Sequence, residues 1–423
     1  MYGSLRHSGS SIRTSEGRSV VVGNVTVRRT VAALLAAGAV TAVATPVSAA
    51  EASGAWRADL SSVDSDDVNV AVSSGTLTLR DSAWRPADRG AGSEGYLLSA
   101  ERRLPAPVNR VAADISADAP QGTSVEVDVR GRSGADDWTE WTPAGTALPR
   151  AVSVVQTRIT LSSTTAARPT VRDVELTASL SPQANALVAA TPLTYTIYAT
   201  REGLAGHTTA NGHVIASNDH FVALPSGKAL SPKGTGNYTV RVCKTDNSRC
   251  EYAPVWDVGP WNTKDDYWNP SSVRAEYKDL PQGQPEAYAA YHNGYNGGRD
   301  DLGYKVGNPA GIDLADGTFS SGVGLGDNGN VKVTYLWTGS AAATGLVQTA
   351  GDPVNVRSGA HTSSSVKGLA ANYAKVNIEC YVNGDTVTGK FGTSKIWDRI
   401  GPGHYISDTY VKTGSDGPVA PLC

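Results

Sequence analysis

Tyr238-Thr-Val-Arg-Val-Cys243, Thr245-Asp-Asn-Ser248 and Cys250-Glu-Tyr-Ala-Pro-Val-Trp256 read as two runs of alternating apolar and polar residues around a polar turn. A period of two puts every second side chain on one face, the pattern of a half-buried strand. The pair is a hairpin, and Cys243 and Cys250 would staple it across its turn. Strand Tyr195-Thr-Ile-Tyr198 precedes it and strand Val331-Lys-Val-Thr-Tyr-Leu-Trp337 follows, which defines a central segment over 193–338. A helix is predicted inside it at Pro285-Glu-Ala-Tyr-Ala-Ala-Tyr291, with Pro at its start and Gly294 at its end.

Alternation of the same kind extends upstream. Val68–Val72, Thr76–Leu79, Val125–Val129, Thr157–Leu161 and Val171–Leu176 are short runs separated by Gly, Pro and Asp turns. They predict a β-sandwich over 55–180. Within it, Trp138 and Trp141 are three apart, so a strand would bury one and expose the other. Downstream, residues 339–351 read as a linker to a last segment, 352–423. The whole chain, with 45 Gly and 22 Pro in 423 residues, is expected to be mainly β.

Export is expected from the N-terminus. Arg28-Arg29 precede an apolar run, Thr30 to Val43, and a small-residue site, Val47-Ser48-Ala49-Ala50. This is the layout of a secretory signal peptide over residues 1–50. The run is shorter than the roughly twenty residues that span a bilayer, so no integral membrane segment is expected after cleavage. In an oxidising compartment the four cysteines form two disulfides. Three pairings are possible; the local ones, Cys243–Cys250 and Cys380–Cys423, are expected. No Cys-x-x-Cys pattern supports zinc, no EF-hand spacing supports calcium, and no metal or other cofactor is expected. Asp265-Asp266 and Asp300-Asp301 are expected to be solvated surface charges. The formal net charge of −3, without a basic block, argues against a nucleic-acid partner.

In the last segment, Pro353-Val-Asn-Val-Arg-Ser-Gly-Ala-His-Thr-Ser-Ser-Ser-Val-Lys-Gly368 puts Val354 and Val356 on one strand face and a turn at Gly359. The stretch resembles the opening of bacterial SH3-like domains, "LNVRSGPSTSSKVIG", with Ala360 where Pro is common. That resemblance implies binding to peptidoglycan or another cell-wall glycan, with Trp397 and Tyr405 among the candidate glycan contacts.

The central segment carries Thr209-Ala-Asn-Gly212, Asp219-His-Phe-Val-Ala-Leu-Pro225, Val255-Trp-Asp-Val-Gly-Pro-Trp261 and Gly311-Ile-Asp-Leu-Ala315, in that order. Together they are similar to the "TASGE", "AHKTLP", "NDRGPF" and "IDLS" motifs of rare lipoprotein A and the expansins. That implies a double-psi β-barrel, with a helical and loop insertion of about fifty residues between the last two motifs. It also implies candidate catalytic residues at Asp257, Asp313 and His220. Val258 stands where the family has Arg, and Ala315 where it has Ser. An acid at Asp257 or Asp313 could protonate the leaving oxygen of a glycosidic bond, as in a lytic transglycosylase. Trp261, Trp268, Tyr291 and Tyr295 in the insertion could stack on sugar rings. The alternatives are an expansin-like protein that binds wall glycan without cutting it, and a secreted inhibitor or interaction protein.

Overall fold

The computed structural model describes residues 54–86, 92–134, 138–182 and 191–423. The expected signal peptide lies outside them. The first strands are β1 (Ala55–Arg57), β2 (Val70–Ser73), β3 (Thr76–Leu79), β4 (Ser93–Leu98), β5 (Arg102–Asp118), β6 (Thr123–Arg132), β7 (Thr142–Pro143), β8 (Ala147–Ser163) and β9 (Thr170–Ser179). They form one antiparallel sheet in the order β2-β3-β9-β5-β8-β6-β7, with β1 on β9 and β4 on β8. Strand β5 is shared: its first half pairs with β8 and its second half with β9. The sheet therefore folds over itself. Val127, Ile159 and Leu161 from one part meet Val171, Val174 and Leu176 from the other in a single core. The expected sandwich is thus one continuous sheet closed over its own apolar face.

Trp138 and Trp141 are both buried, which corrects the expectation that one is exposed. Each ring centroid lies 4.4 Å from the Arg130 guanidinium. Trp141 Nε1 donates to Leu230 O at 3.1 Å, and Tyr238 Oη donates to Thr139 O at 2.7 Å. Between the two tryptophans, Glu140 accepts from Trp268 Nε1 and Trp337 Nε1 at 2.6 and 2.8 Å. This stretch is the joint between the sheet and the central barrel.

The barrel strands are β10 (Thr194–Arg201), β11 (Val222–Leu224), β12 (Thr239–Lys244), β13 (Cys250–Val258), β14 (Ile312–Leu314) and β15 (Gly329–Tyr335). Their order is β11-β14-β10-β15-β12-β13, and β13 pairs back onto β11, so the barrel is closed. It is mixed: β10 with β14 and β11 with β13 are parallel, the other neighbours antiparallel. The fold class is mainly β, and the closed barrel has its expected place in the chain.

The insertion contains helix α1 (Glu286–Asn293), which starts after Pro285 and stops at Gly294, where φ is 67°. A left-handed residue there suits glycine, which has no Cβ to clash. The loop is held by buried groups. Trp268 is fully buried and stacks on Tyr335 at 5.4 Å, so it is a core anchor and not a sugar-stacking face. Asp265 and Asp266 are also fully buried and Asp300 is buried to 4% exposure, correcting the expectation of surface charges, while Asp301 is half-buried. Arg274 Nε donates to Asp265 at 3.1 Å and Lys228 Nζ to Asp266 at 2.8 Å.

The last strands are β16 (Ala343–Val347), β17 (Val354–Arg357), β18 (Val366–Ala370), β19 (Lys375–Ile378), β20 (Cys380–Gly389), β21 (Gly392–Gly401), β22 (His404–Ser407) and β23 (Val411–Lys412). Part of the expected linker is therefore strand β16, paired with β19 and β23. Strand β18 pairs in parallel with β13, Cys250 opposite Gly368, so this module shares a continuous sheet with the barrel. Both disulfides join the cysteines expected, Cys243 to Cys250 and Cys380 to Cys423. They fit an oxidising environment. Among the described residues, no helix is long and apolar enough to cross a membrane.

Candidate functional site

Strand alternation decides which residues face out of the barrel. Val222 and Leu224 of β11, and Ile312 and Leu314 of β14, belong to the barrel's core. Ala223 and Asp313, between them, therefore point outward. In β13 the register jumps from Val222 opposite Val255 to Ala223 opposite Asp257. Trp256 is the extra residue of a β-bulge, which lets Trp256 and Asp257 both face outward between the core residues Val255 and Val258. Asp313 is also opposite Ala223, from the other side. The two aspartates thus flank one small residue across three adjacent strands.

Both are buried, Asp257 completely and Asp313 to 7% exposure. Asp257 Oδ1 accepts from the amides of Ala210 and Val258 at 2.7 and 2.8 Å. Asp313 Oδ1 accepts from the Thr200 hydroxyl. Burial raises the Asp313 pKa and the charge of Asp257 raises it further. The Thr200 bond opposes them, and the carboxyl is pushed up to about 7. It can therefore hold a proton near neutral pH, as a general acid must.

His220 does not join this pair. Its Nδ1 bonds Glu251 Oε1 at 2.6 Å, and Glu251 is fully buried. Burial disfavours the imidazolium, but the bond and charge of Glu251, with the charges of Asp219 and Asp352, outweigh it and raise the His220 pKa. Burial also raises Glu251, against the pull of His220. His220 and Glu251 thus form a largely buried hydrogen-bonded pair.

A second histidine, which the motif comparison passed over, lies on the outer face. His213 Nε2 bonds Asp219 Oδ2 at 2.6 Å, and Asp219 also accepts from Ala216 N at 2.6 Å. The imidazole centroid is 4.9 Å from the Trp256 ring. Trp256 packs with Phe221, Ile215 and Ala315, and with Tyr373 from the C-terminal module. Burial works to raise Asp219, but its bonds to His213 and Ala216 prevail and hold its pKa low.

The aromatic candidates divide by burial. Tyr291 is 51% exposed and lies near the exposed Tyr288 on α1. Tyr295 is half-buried, with its hydroxyl on Asp279 at 2.8 Å. Trp261 is half-buried and packs on Ala287, Ala290 and Val306, while Nε1 donates to Asn308 at 3.1 Å. In the C-terminal module Tyr405 is half-buried. Trp397 is 2% exposed, a core residue instead of an open platform, and donates Nε1 to Asp385 O. Its edge borders a groove of about 390 Å³ whose polar lining includes Asp352, Asn355 and Arg357, with Tyr410 beside them.

Residues 193–334, which include every barrel strand but the last residue of β15, match a domain of unknown function (DUF8814). The chain is also 48% identical over 82 residues to the uncharacterized protein YraI of Bacillus subtilis, covering 17% of this chain and 68% of that protein. It is 48% identical over 81 residues to the uncharacterized protein YraJ of the same organism, covering 17% of this chain and 69% of that one. Through this shared segment the chain belongs to the family of YraI and YraJ.

Proposed function

We propose that this is a secreted, cell-wall-associated protein that binds peptidoglycan or a related glycan and cleaves it at the barrel's outer face, in the manner of a lytic transglycosylase. The observation that carries this reading is the Asp257–Asp313 pair across Ala223, with the Asp313 carboxyl pushed up to about 7. Asp313 donates its proton to the glycosidic oxygen as the bond to the anomeric carbon breaks. The charge of Asp257 stabilises the positive charge that develops on that carbon. The similarity of the four barrel motifs to those of rare lipoprotein A and the expansins supports the same reading. The polar groove beside Trp397 supports docking through the SH3-like module.

The test is digestion of purified peptidoglycan, with mass analysis of released muropeptides. Native protein is expected to release soluble fragments, and Asp313→Asn, which cannot give up a proton, to lose at least about 100-fold in rate. The deep burial of both aspartates favours a second reading, wall binding without cleavage. Intact pulldown on the wall with no released product would establish that reading and overturn the first.

A further inference from the structure

We infer that His213, oriented by Asp219, is the group that takes the proton from the attacking hydroxyl of the glycan. This rests on the cleavage reading above and adds to it a residue outside the Asp257, Asp313 and His220 set.

Four observations carry it. The bulge turns Trp256 outward beside Asp257, and the His213 ring lies over Trp256 at 4.9 Å. Ala315, in the same apolar cluster as Trp256, is two residues beyond Asp313 on β14's line, so the imidazole and the acid pair share one face. The turn Thr209–His213 holds both: Ala210 N donates to Asp257 at 2.7 Å, and His213 N donates to Thr209 Oγ1 at 3.1 Å. The side chain is also reachable, with 28% exposure against 12% for His220.

The tautomer follows from the bonds. Nε2 is engaged by Asp219, whose other partner, Ala216 N, fixes its position. Nδ1 is then the ring nitrogen that meets a reactant, and Asp219 stabilises the imidazolium that forms. This is the orienting role of a carboxylate behind a catalytic histidine.

The step balances without a co-reactant. The C–O bond at the anomeric carbon breaks, and the leaving oxygen takes the Asp313 proton. The same sugar's primary hydroxyl oxygen forms the new bond to that carbon, and its proton passes to His213 Nδ1. Between turnovers His213 releases its proton to solvent and Asp313 regains one. The substrate class is therefore a glycan whose sugar carries a free primary hydroxyl able to reach its own anomeric carbon. Tyr373 of the C-terminal module, 6.2 Å from Trp256, borders the place where that sugar sits.

The experiment uses the full-length protein on purified peptidoglycan, comparing wild type with His213→Gln, Asp219→Asn and Asp313→Asn. His207→Gln, at an exposed position, is the neutral control. Expected are a loss of about 100-fold in kcat for His213→Gln at unchanged KM, and about tenfold or more for Asp219→Asn. Circular dichroism checks folding, and added imidazole should restore His213→Ala at least tenfold, which repair of a packing defect would not do. The inference is overturned if folded His213→Gln stays within threefold of wild type while Asp313→Asn is inactive; the cleavage reading then survives. If wild type itself releases no product, the cleavage reading falls and the role of His213 falls with it.

Discussion

In the insertion, Asp265 and Asp266 are buried against Arg274 and Lys228, and each charge has its counter-charge. In the barrel, Asp257 and Asp313 are buried on either side of Ala223, with a hydroxyl and two amides among their donors. The first arrangement uses charge to fasten a long loop. In the second, burial above all raises the Asp313 pKa and the charge of Asp257 adds to it, so a proton on Asp313 relieves both. Burial raises carboxylates in both, Asp265 to about 6 even beside Arg274, so a raised pKa from burial alone does not mark a reactive group.

The largest expected effect breaks the fastened side. Arg274→Ala leaves Asp265 buried without its cation and should cost about 3–5 kcal/mol, read by denaturant unfolding. A loss under about 1 kcal/mol would mean the loop does not depend on that pair.

The barrel side responds in the opposite sense. An acid with a raised pKa binds its proton more tightly folded than unfolded. Stability is therefore highest below the unfolded value of 3.8 and declines as pH rises to about 7, after which this contribution is flat. Asp313→Asn should remove that decline and leave the protein more stable than wild type at pH 8, by on the order of 1–3 kcal/mol. Asp66, Glu286 and Asp398 are also pushed up to about 7 and Asp265 to about 6, so a residual slope from them should persist in the variant. A variant no more stable than wild type at pH 8 would show that ionising the buried Asp313 carboxyl carries no cost in the folded protein. The smallest effect is expected at the exposed end of the insertion, where Tyr291→Ala should change stability by less than about 0.5 kcal/mol. A fall in glycan affinity without that loss would assign Tyr291 to binding.

Local chemistry makes much of this visible in the sequence. The hairpin was legible because alternation and a polar turn are nearest-neighbour signals. Helix α1 was legible because Pro285 and Gly294 punctuate it. Asp257 and Asp313 were found through motifs, but their pairing across Ala223 depends on strand order, which no local pattern encodes. His213 and Asp219 meet because the loop between β10 and β11 closes on itself, which no periodicity along the chain encodes. Glu251 alternates along β13 like a solvent-facing residue, yet β18 and the turn after β14 cover it; a Cβ on Gly322 would fall 1.5 Å from its Oε2. Dense aromatics gave no hint of burial, since Trp268 and Tyr291 have the same kind of sequence neighbourhood and opposite exposures.

The parallel pairing of β13 with β18 has a mechanical consequence. A Cβ on Gly368 would sit 1.6 Å from Cys250 O, so only glycine lets the two backbones run this close. The C-terminal module is thereby a rigid handle and not a bead on a string. Under the proposed function, a polymer held there would meet the Asp257 face in a set orientation, at a fixed offset from the grip. Tension along the polymer would load the same strand that carries Asp257, so this molecule would feel a stretched wall directly in its own site.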